Sequence, residues 1–299
     1  IPTTRRLFAD IAGTLRFAAD DPVVRPLMAR AIAEEWGPLA PLAAAAAVLA
    51  QARAAAGGRI ADDALLHAAL AAAPVTDAGL EEALTQARRA LLERGGDAAF
   101  AAALAQQCFL NGYAWWQSEA ETAQAAALRA RAEAGEALPD TTLATLACYV
   151  PLHAVARLDT HAAGHVLAAL LRQQRDEPAE ENAIAAALPV LTPIAATDQG
   201  ETPWPRWHGH PAMEAPVTPR AWLENRFPHA DLDRVPEKPA MLAAGCGTGQ
   251  YTLHLARTLV LESVTAIDLS RANLAYAARK AADAGQNIRF GQGDILEAA

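Results

Sequence analysis

Cysteine is scarce in this 299-residue sequence. The three cysteines, Cys108, Cys148 and Cys246, lie far apart, and none belongs to a Cys-x-x-Cys pair. This usage argues against a disulfide framework and is typical of a reduced, cytoplasmic protein.

Long apolar runs and clusters of basic residues are also lacking. A membrane-spanning helix needs about 18 to 20 consecutive apolar residues, and the nearest segment, PLAAAAAVLAQARAAAGG, consists mainly of alanine and favours a soluble helix. The formal net charge is −9 without any Lys/Arg cluster, which argues against a nucleic-acid-binding surface. We therefore expect no membrane association and no nucleic-acid partner. His161 and His165 have helical ligand spacing but no third partner, so we expect no metal site.

Residues 1–188 lack the alternating pattern of β-strands. Alanine and leucine dominate, and arginine and glutamate supply polar faces, which predicts an all-helical domain of about eight to ten helices. Asp20-Asp21-Pro22 predicts a helix with proline at its first position. No repeat of roughly 34 residues is recognisable. The predicted helix breaks are Gly57-Gly58, Pro74, Gly95-Gly96 and Pro139-Asp140.

Residues 189–238 are rich in proline and contain Trp204, Trp207 and Trp222. Proline disfavours helix, so this segment predicts a mostly extended connector. Because large aromatic side chains favour burial, we expect a belt lying against one or both neighbouring domains. The PWPRW segment, residues 203–207, is either an aromatic clasp that holds the connector to the following sheet or part of a lid over a ligand pocket.

Residues 239–299 alternate between strand and helix patterns. The apolar run MLAAG predicts a first strand, and a helix from Gln250 to about Thr258 follows. A second strand ends at Asp268, Ser270 caps a second helix, and a third strand begins near Asn287. This order predicts the first half of an α/β doubly wound parallel sheet behind the all-α domain.

The glycine-rich stretch AAGCGTGQ follows the first predicted strand, where ligands of such sheets bind. Gly245, Gly247 and Gly249 let the turn bend and let a ligand contact the backbone. A phosphate-binding P-loop would need Gly-Lys-Ser/Thr, but Gln250 and Tyr251 follow the last glycine. A dinucleotide fingerprint would need glycine at position 250. The remaining G-x-G-x-G spacing is the one used for S-adenosylmethionine.

Two acidic residues follow the later strands. Asp268 lies 19 residues after Gly249, and a carboxylate there can accept hydrogen bonds from ribose hydroxyls, in NAD sites as well as in S-adenosylmethionine sites. Asp294, in Gly293-Asp294-Ile295, is more discriminating. An acid at this position faces the adenine amino group in methyltransferases, whereas dinucleotide enzymes have no general need of one.

The motifs AAGCGTGQ, AIDLS and GDIL, in this order, resemble those of class I, Rossmann-like S-adenosylmethionine-dependent methyltransferases. The chain looks especially like a bacterial subgroup in which a helical, often tetratricopeptide-containing, region precedes the methyltransferase domain. That subgroup has a PYPRW-like segment and a DLS-xx-x-LAYA-xRK helix, which residues 203–207 and 268–280 match. The specific resemblance covers roughly residues 189–299, and no tetratricopeptide pattern is visible upstream.

The resemblance implies a set of contacts with the cofactor. The three glycines would line its methionine and ribose part. Asp268 would hold the ribose and Leu269 would pack on the adenine, whereas Asp294 and Ile295 would border the adenine edge. No catalytic residue is implied. Cys246 has no evident base partner, so we expect a structural role for it.

The sequence thus predicts three parts: an all-helical domain over residues 1–188, a Pro/Trp-rich connector over 189–238, and the N-terminal half of an S-adenosylmethionine-binding domain over 239–299. Strands four to seven of the family are absent, so we expect the natural chain to continue past Ala299 for on the order of 100 residues. The start at Ile1 rather than Met likewise predicts residues upstream.

The predicted activity is methyl transfer from S-adenosylmethionine, with S-adenosylhomocysteine as product. The acceptor is a peptide or protein, or a small metabolite, and homo-oligomerisation stays open. The alternatives are a non-catalytic S-adenosylmethionine-binding scaffold and a nicotinamide-dependent oxidoreductase.

Overall fold

The structure is a computed structural model that describes residues 2–160, 163–194, 202–209 and 215–297. The chain divides into two compact units. One comprises Ile1–Pro178 with Trp207–Ala212, and the other comprises Ala179–Arg206 with Met213–Ala299. The domain boundaries expected at residues 188 and 238 stay predictions.

The first part of the chain is helical. The bounds of its helices are α1 Pro2–Ala12, α2 Val24–Ala33, α3 Leu39–Ala55, α4 Ala64–Ala72, α5 Ala78–Arg94, α6 Ala98–Leu110, α7 Glu119–Glu133, α8 Asp140–Ala147, α9 Ala168–Leu171 and α10 Glu177–Ala187. A π-helical turn, Arg172–Asp176, joins α9 to α10. Within the described ranges, no helix is long and apolar enough to cross a membrane.

Side-chain caps fix the starts of several of these helices. Asp63, Asp77 and Asp97 each accept hydrogen bonds from backbone N–H groups in the first turn of α4, α5 and α6. Ser118 and Glu121 form a reciprocal capping box at the start of α7. These caps satisfy donors that a helix start otherwise leaves without partners, so short polar residues define the boundaries locally.

Helix α2 begins later than the sequence predicted. Pro22 lies before the helix, and the first helical residue is Val24. The reason is local: Asp21 Oδ1 accepts hydrogen bonds from Val23 N at 2.8 Å and from Val24 N at 3.1 Å, which forms a turn before the helix. The predicted proline at the first helical position is therefore wrong.

The core of the helical unit is built largely from leucine and alanine. Leu84, Leu104 and Leu143, on α5, α6 and α8, are among its fully buried large side chains. Most residues of α6 are buried, because it packs against both α4 and α8. Such burial is worth roughly 1.5–3 kcal/mol for each leucine.

A buried ion pair interrupts this apolar core. Arg88 is 0% exposed and donates to Trp116 O at 2.6 Å and to Glu121 Oε1 at 3.4 Å. The Tyr149 hydroxyl donates to the same carboxylate oxygen at 3.0 Å. Burial acts to raise the pKa of Glu121, but hydrogen bonds from Ser118, Tyr149 and Arg89 outweigh it and lower that pKa to about 2.

The second unit contains a three-stranded parallel sheet in the order β1 (Ala240–Ala244), β2 (Ser263–Asp268) and β3 (Arg289–Gln292). Ala243 of β1 pairs with Ala266 of β2, which pairs with Phe290 of β3. Parallel neighbours need crossover connections, and the helices α12 (Gln250–Thr258) and α13 (Arg271–Asp283) provide them. The predicted order of strands and helices is therefore observed.

The proline-rich connector is more regular than expected. It contains a helix, α11 (Pro219–Arg226), with Pro219 at the first position and the Thr218 side chain accepting from Ala221 N at 3.3 Å. Val190 forms a parallel bridge with Gln292 of β3. The expectation of a mostly extended segment missed α11, because a proline at the first helical position starts a helix rather than breaking it.

Candidate functional site

The glycine-rich loop between β1 and α12 has a backbone that only glycine adopts readily. Gly245, Gly247 and Gly249 have φ angles of +69°, +55° and +77°. Side chains disfavour this left-handed region, so the three alternate glycines are a conformational requirement of the turn. The loop is joined to β2 by a hydrogen bond from Cys246 N to Ile267 O at 3.0 Å.

The three glycines differ in what lies next to them. A Cβ placed on Gly249 would lie 2.5 Å from the Cβ of Ala277, so this glycine also permits close packing of the loop on α13. A Cβ on Gly245 or Gly247 meets no heavy atom within 4 Å in the described part of the chain. The backbone at these two positions is therefore open to a ligand.

Asp268, at the carboxyl end of β2, is bound directly to the loop. Its Oδ2 accepts from Gly247 N at 2.8 Å, and its Oδ1 accepts from Ser270 N at 2.9 Å. An ionised carboxylate offers about four acceptor positions, so these two bonds leave capacity for further donors. The structure thus brings the glycine loop and the predicted ribose-binding acid together.

The residues after β3 lie at the same end of the sheet. Gly293 N donates to Asp268 O, at the end of β2, at 3.1 Å. Asp294 is the next residue in the chain and therefore lies close to the carboxyl end of β2. Asp294 is 5% exposed, and its Oδ1 accepts from Leu296 N at 2.9 Å. Leu269 is half-buried, and Ile295 is exposed. The cofactor contacts expected for these residues stay predictions.

Cys246 lies inside the loop but is poorly suited to act as a nucleophile. Burial, and then the negative charge of Asp268, raise the pKa of its thiol to about 12. A thiol needs to be ionised to attack, and this one is protonated at neutral pH. The side chain is therefore better explained as a small residue that fits the loop.

Sequence reasoning missed the role of Thr248. It is 4% exposed, and its hydroxyl donates to Pro205 O at 2.8 Å. The preceding residue, Trp204, donates its backbone N–H to Asn273 Oδ1 at 3.0 Å. These contacts attach the PWPR segment, residues 203–206, to the loop and to α13 through backbone atoms of the segment, whereas Trp204 is 54% exposed. The clasp and the lid stay alternative predictions.

Arg271 was missed as well. Its guanidinium donates to the carbonyl oxygens of Ala185 at 2.6 Å and Leu188 at 2.7 Å, and to Gln292 Oε1 at 3.0 Å. Gln292 Nε2 in turn donates to Leu269 O at 2.8 Å. Arg271 therefore ties the end of α10 to the carboxyl ends of β2 and β3. Its position directly after the Asp-Leu-Ser cap was the only local signal.

No group of three His, Cys, Asp or Glu side chains in the described ranges could hold a metal ion. His161, one of the two histidines with ligand spacing, lies outside those ranges.

Comparison with known proteins assigns the sheet-containing part. Residues 241–299 match the model of a methyltransferase domain family, and the match includes the glycine loop, Asp268 and Asp294. No curated protein matches the chain, and no solved structure does. The three-stranded parallel sheet is compatible with a Rossmann-like methyltransferase domain. This match supports an enzyme that transfers methyl groups.

Proposed function

We propose that the protein is a class I methyltransferase that uses S-adenosylmethionine. The observation that carries the proposal is the hydrogen bond between Gly247 N and the Asp268 carboxylate. It joins a glycine loop with an accessible backbone to an acid with spare acceptor capacity, at the end of the sheet where ligands bind. The residues therefore fit the adenosine and methionine parts of the cofactor.

In this proposal the residues of the site bind different parts of the cofactor. The backbone at Gly245 and Gly247 lines the methionine and ribose part, with Gly249 allowing the close packing of the loop. Asp268 accepts from the ribose hydroxyls while holding the loop. Leu269, Asp294 and Ile295 border the adenine, and the near-complete burial of Asp294 suits recognition of an amino group.

The cofactor, when bound, supplies a methyl group that its sulfonium already activates. The protein therefore contributes mainly by positioning, and alignment of donor and acceptor for in-line transfer accounts for much of the rate. The protonated Cys246 thiol is a poor general base at neutral pH, so the loop binds rather than moves a proton.

The acceptor is proposed at the level of class. A peptide or protein acceptor suits a separate helical unit as its recognition surface, in line with the resemblance to the subgroup with N-terminal helical regions. A small metabolite suits a site that the PWPR segment closes. Release of S-adenosylhomocysteine on addition of peptide or metabolite pools separates the two, since only the true class gives turnover.

A nicotinamide-dependent oxidoreductase is the second candidate function, because an acid such as Asp268 also binds the ribose in NAD sites. Calorimetry of the protein with S-adenosylhomocysteine and with NAD tests the choice. Binding of S-adenosylhomocysteine and not NAD supports the proposal, and the opposite result favours a nicotinamide-dependent oxidoreductase. Binding without turnover across acceptor pools favours a non-catalytic scaffold.

A further inference from the structure

The segment Pro203-Trp204-Pro205-Arg206, here called the strap, contacts the glycine loop and the first turn of α13, the helix that follows the predicted ribose-binding acid Asp268. Pro205 O accepts from Thr248 in the glycine loop, and Trp204 N donates to Asn273 in the first turn of α13. We propose that the strap positions the glycine loop for cofactor binding through Thr248 and Asn273. This inference rests on the proposed function and adds positioning residues to it.

The loop needs such an anchor because glycine restricts the backbone so little. Thr248 stands between Gly247 and Gly249, both of which have left-handed φ angles. Glycine adopts many other conformations at similar free energy, so tertiary contacts must select the one that receives a ligand. The Asp268 carboxylate fixes the loop at Gly247 N, and the strap fixes it one residue later through a buried hydroxyl.

The second attachment sets the position of the strap relative to the ribose-binding acid. Asn273 lies in the first turn of α13, whose N-cap residue Ser270 donates its backbone N–H to Asp268. The Trp204 residue is 54% exposed, and its backbone N–H is the group that joins the strap to Asn273. The strap therefore connects the loop and the start of α13 without needing to contact the cofactor.

Thr248→Val removes the hydroxyl and keeps the shape of the side chain. We expect S-adenosylhomocysteine affinity, measured by calorimetry on the full chain, to fall about 2- to 10-fold, the loss expected for one hydrogen bond. Thr248→Ser retains the hydroxyl and should restore affinity to within about two-fold. Asn273→Ala, at a partly exposed position, should weaken binding by a similar factor.

Thr258→Val is the matched control. The Thr258 hydroxyl donates to a backbone carbonyl, His254 O, at 2.7 Å within α12, on the exposed surface. The same chemical change is made in the same unit, away from the strap. Affinity for S-adenosylhomocysteine should stay at the wild-type value.

The results distinguish failure of the proposed function from failure of the strap's positioning role. Wild-type protein that binds no S-adenosylhomocysteine overturns the proposed function and the strap's role with it. Wild-type binding together with unchanged affinity in Thr248→Val and Asn273→Ala overturns the strap alone. A lower melting temperature in Thr248→Val without loss of affinity also overturns it, because the hydroxyl would then support only the fold. Weaker binding in both variants, with rescue by serine and no effect at Thr258, supports it.

Discussion

Replacing Asp268 with alanine should weaken cofactor binding in two separable ways. The carboxylate accepts from Gly247 N and Ser270 N, so its removal loosens the loop and the start of α13. It also removes the proposed acceptor of the ribose hydroxyls. A hydrogen bond to a charged group is worth about 1.5–3 kcal/mol, which corresponds to about 10- to 150-fold in affinity. Asp268→Ala should lose at least this much for S-adenosylhomocysteine.

A thermodynamic cycle separates the contribution of the proposed hydrogen bonds between Asp268 and the ribose from the effect of Asp268 on the conformation of the loop. Calorimetry is carried out with S-adenosylhomocysteine and with its 2′-deoxy and 3′-deoxy analogues, on wild-type protein and on Asp268→Ala. In the wild type, loss of a hydroxyl that the carboxylate binds should cost about 1.5–3 kcal/mol. In the variant this cost should fall close to zero, because the partner of the hydroxyl is gone.

Two results would contradict this reasoning. If each deoxy analogue loses the same affinity in both proteins, Asp268 only holds the loop and the ribose assignment is wrong. If Asp268→Ala binds S-adenosylhomocysteine as tightly as the wild type, neither role is supported.

Three further substitutions test other parts of the structure. Cys246→Ala should leave S-adenosylhomocysteine affinity and methyl transfer unchanged, because the thiol, with its pKa of about 12, is protonated at neutral pH. A large loss of turnover at wild-type affinity would point to a chemical role for the thiol. Gly249→Ala should lower the melting temperature more than Gly245→Ala, because only the former places a Cβ 2.5 Å from the Ala277 Cβ; equal shifts would contradict this. Glu121→Gln should lower the free energy of unfolding by about 3 kcal/mol at pH 7. Because the pKa of Glu121 is lowered to about 2, its carboxylate contributes this free energy above about pH 4.5 and loses it as pH falls through 2. In urea unfolding, the difference in free energy of unfolding between the wild type and the variant should therefore shrink on acidification, and a difference that stays constant with pH would refute the prediction.

The elements of the sheet unit were predictable because their signals are local. Ser270 caps α13 by accepting from Asn273 N, and Gly285, at a φ angle of +65°, follows its end. Strands β1 and β2 follow from short, mainly apolar runs between these boundaries. Each such signal acts within a few residues, so no knowledge of the tertiary structure is needed to recognise it.

Local signals also explain the errors. The Thr218-Pro219 pair is a helix start, but the density of prolines around it favoured an extended segment. At α2, Asp21 caps a turn before the helix rather than the helix itself. In both places two local interpretations compete, and the backbone N–H groups that the Thr218 and Asp21 side chains accept from decide between them.

The pairing of Arg88 with Glu121 in the helical unit had no sequence signal. Arg88 and Glu121 lie 33 residues apart, on different helices. Each belongs to an Ala-rich helix in which arginine and glutamate otherwise form solvated faces. Only packing shows that these two side chains point inward, where each depends on the other for its charge to be tolerated.

In the candidate site, too, local signals were predictable from the sequence and contacts between distant residues were not. The glycines and Asp268 are recognisable because their spacing reflects one strand–helix–strand unit, whereas the bonds Thr248–Pro205 and Trp204–Asn273 join residues 43 and 69 positions apart. The hydrogen bond from Gly247 N to Asp268 also explains why loop and acid occur together. Without the carboxylate, that N–H group would lose its acceptor in a loop of permissive residues, and the loop would have one contact fewer to fix its shape. The same acid therefore serves the fold before any ligand binds, and its spacing from the glycines is set by the sheet as much as by the proposed ribose contact.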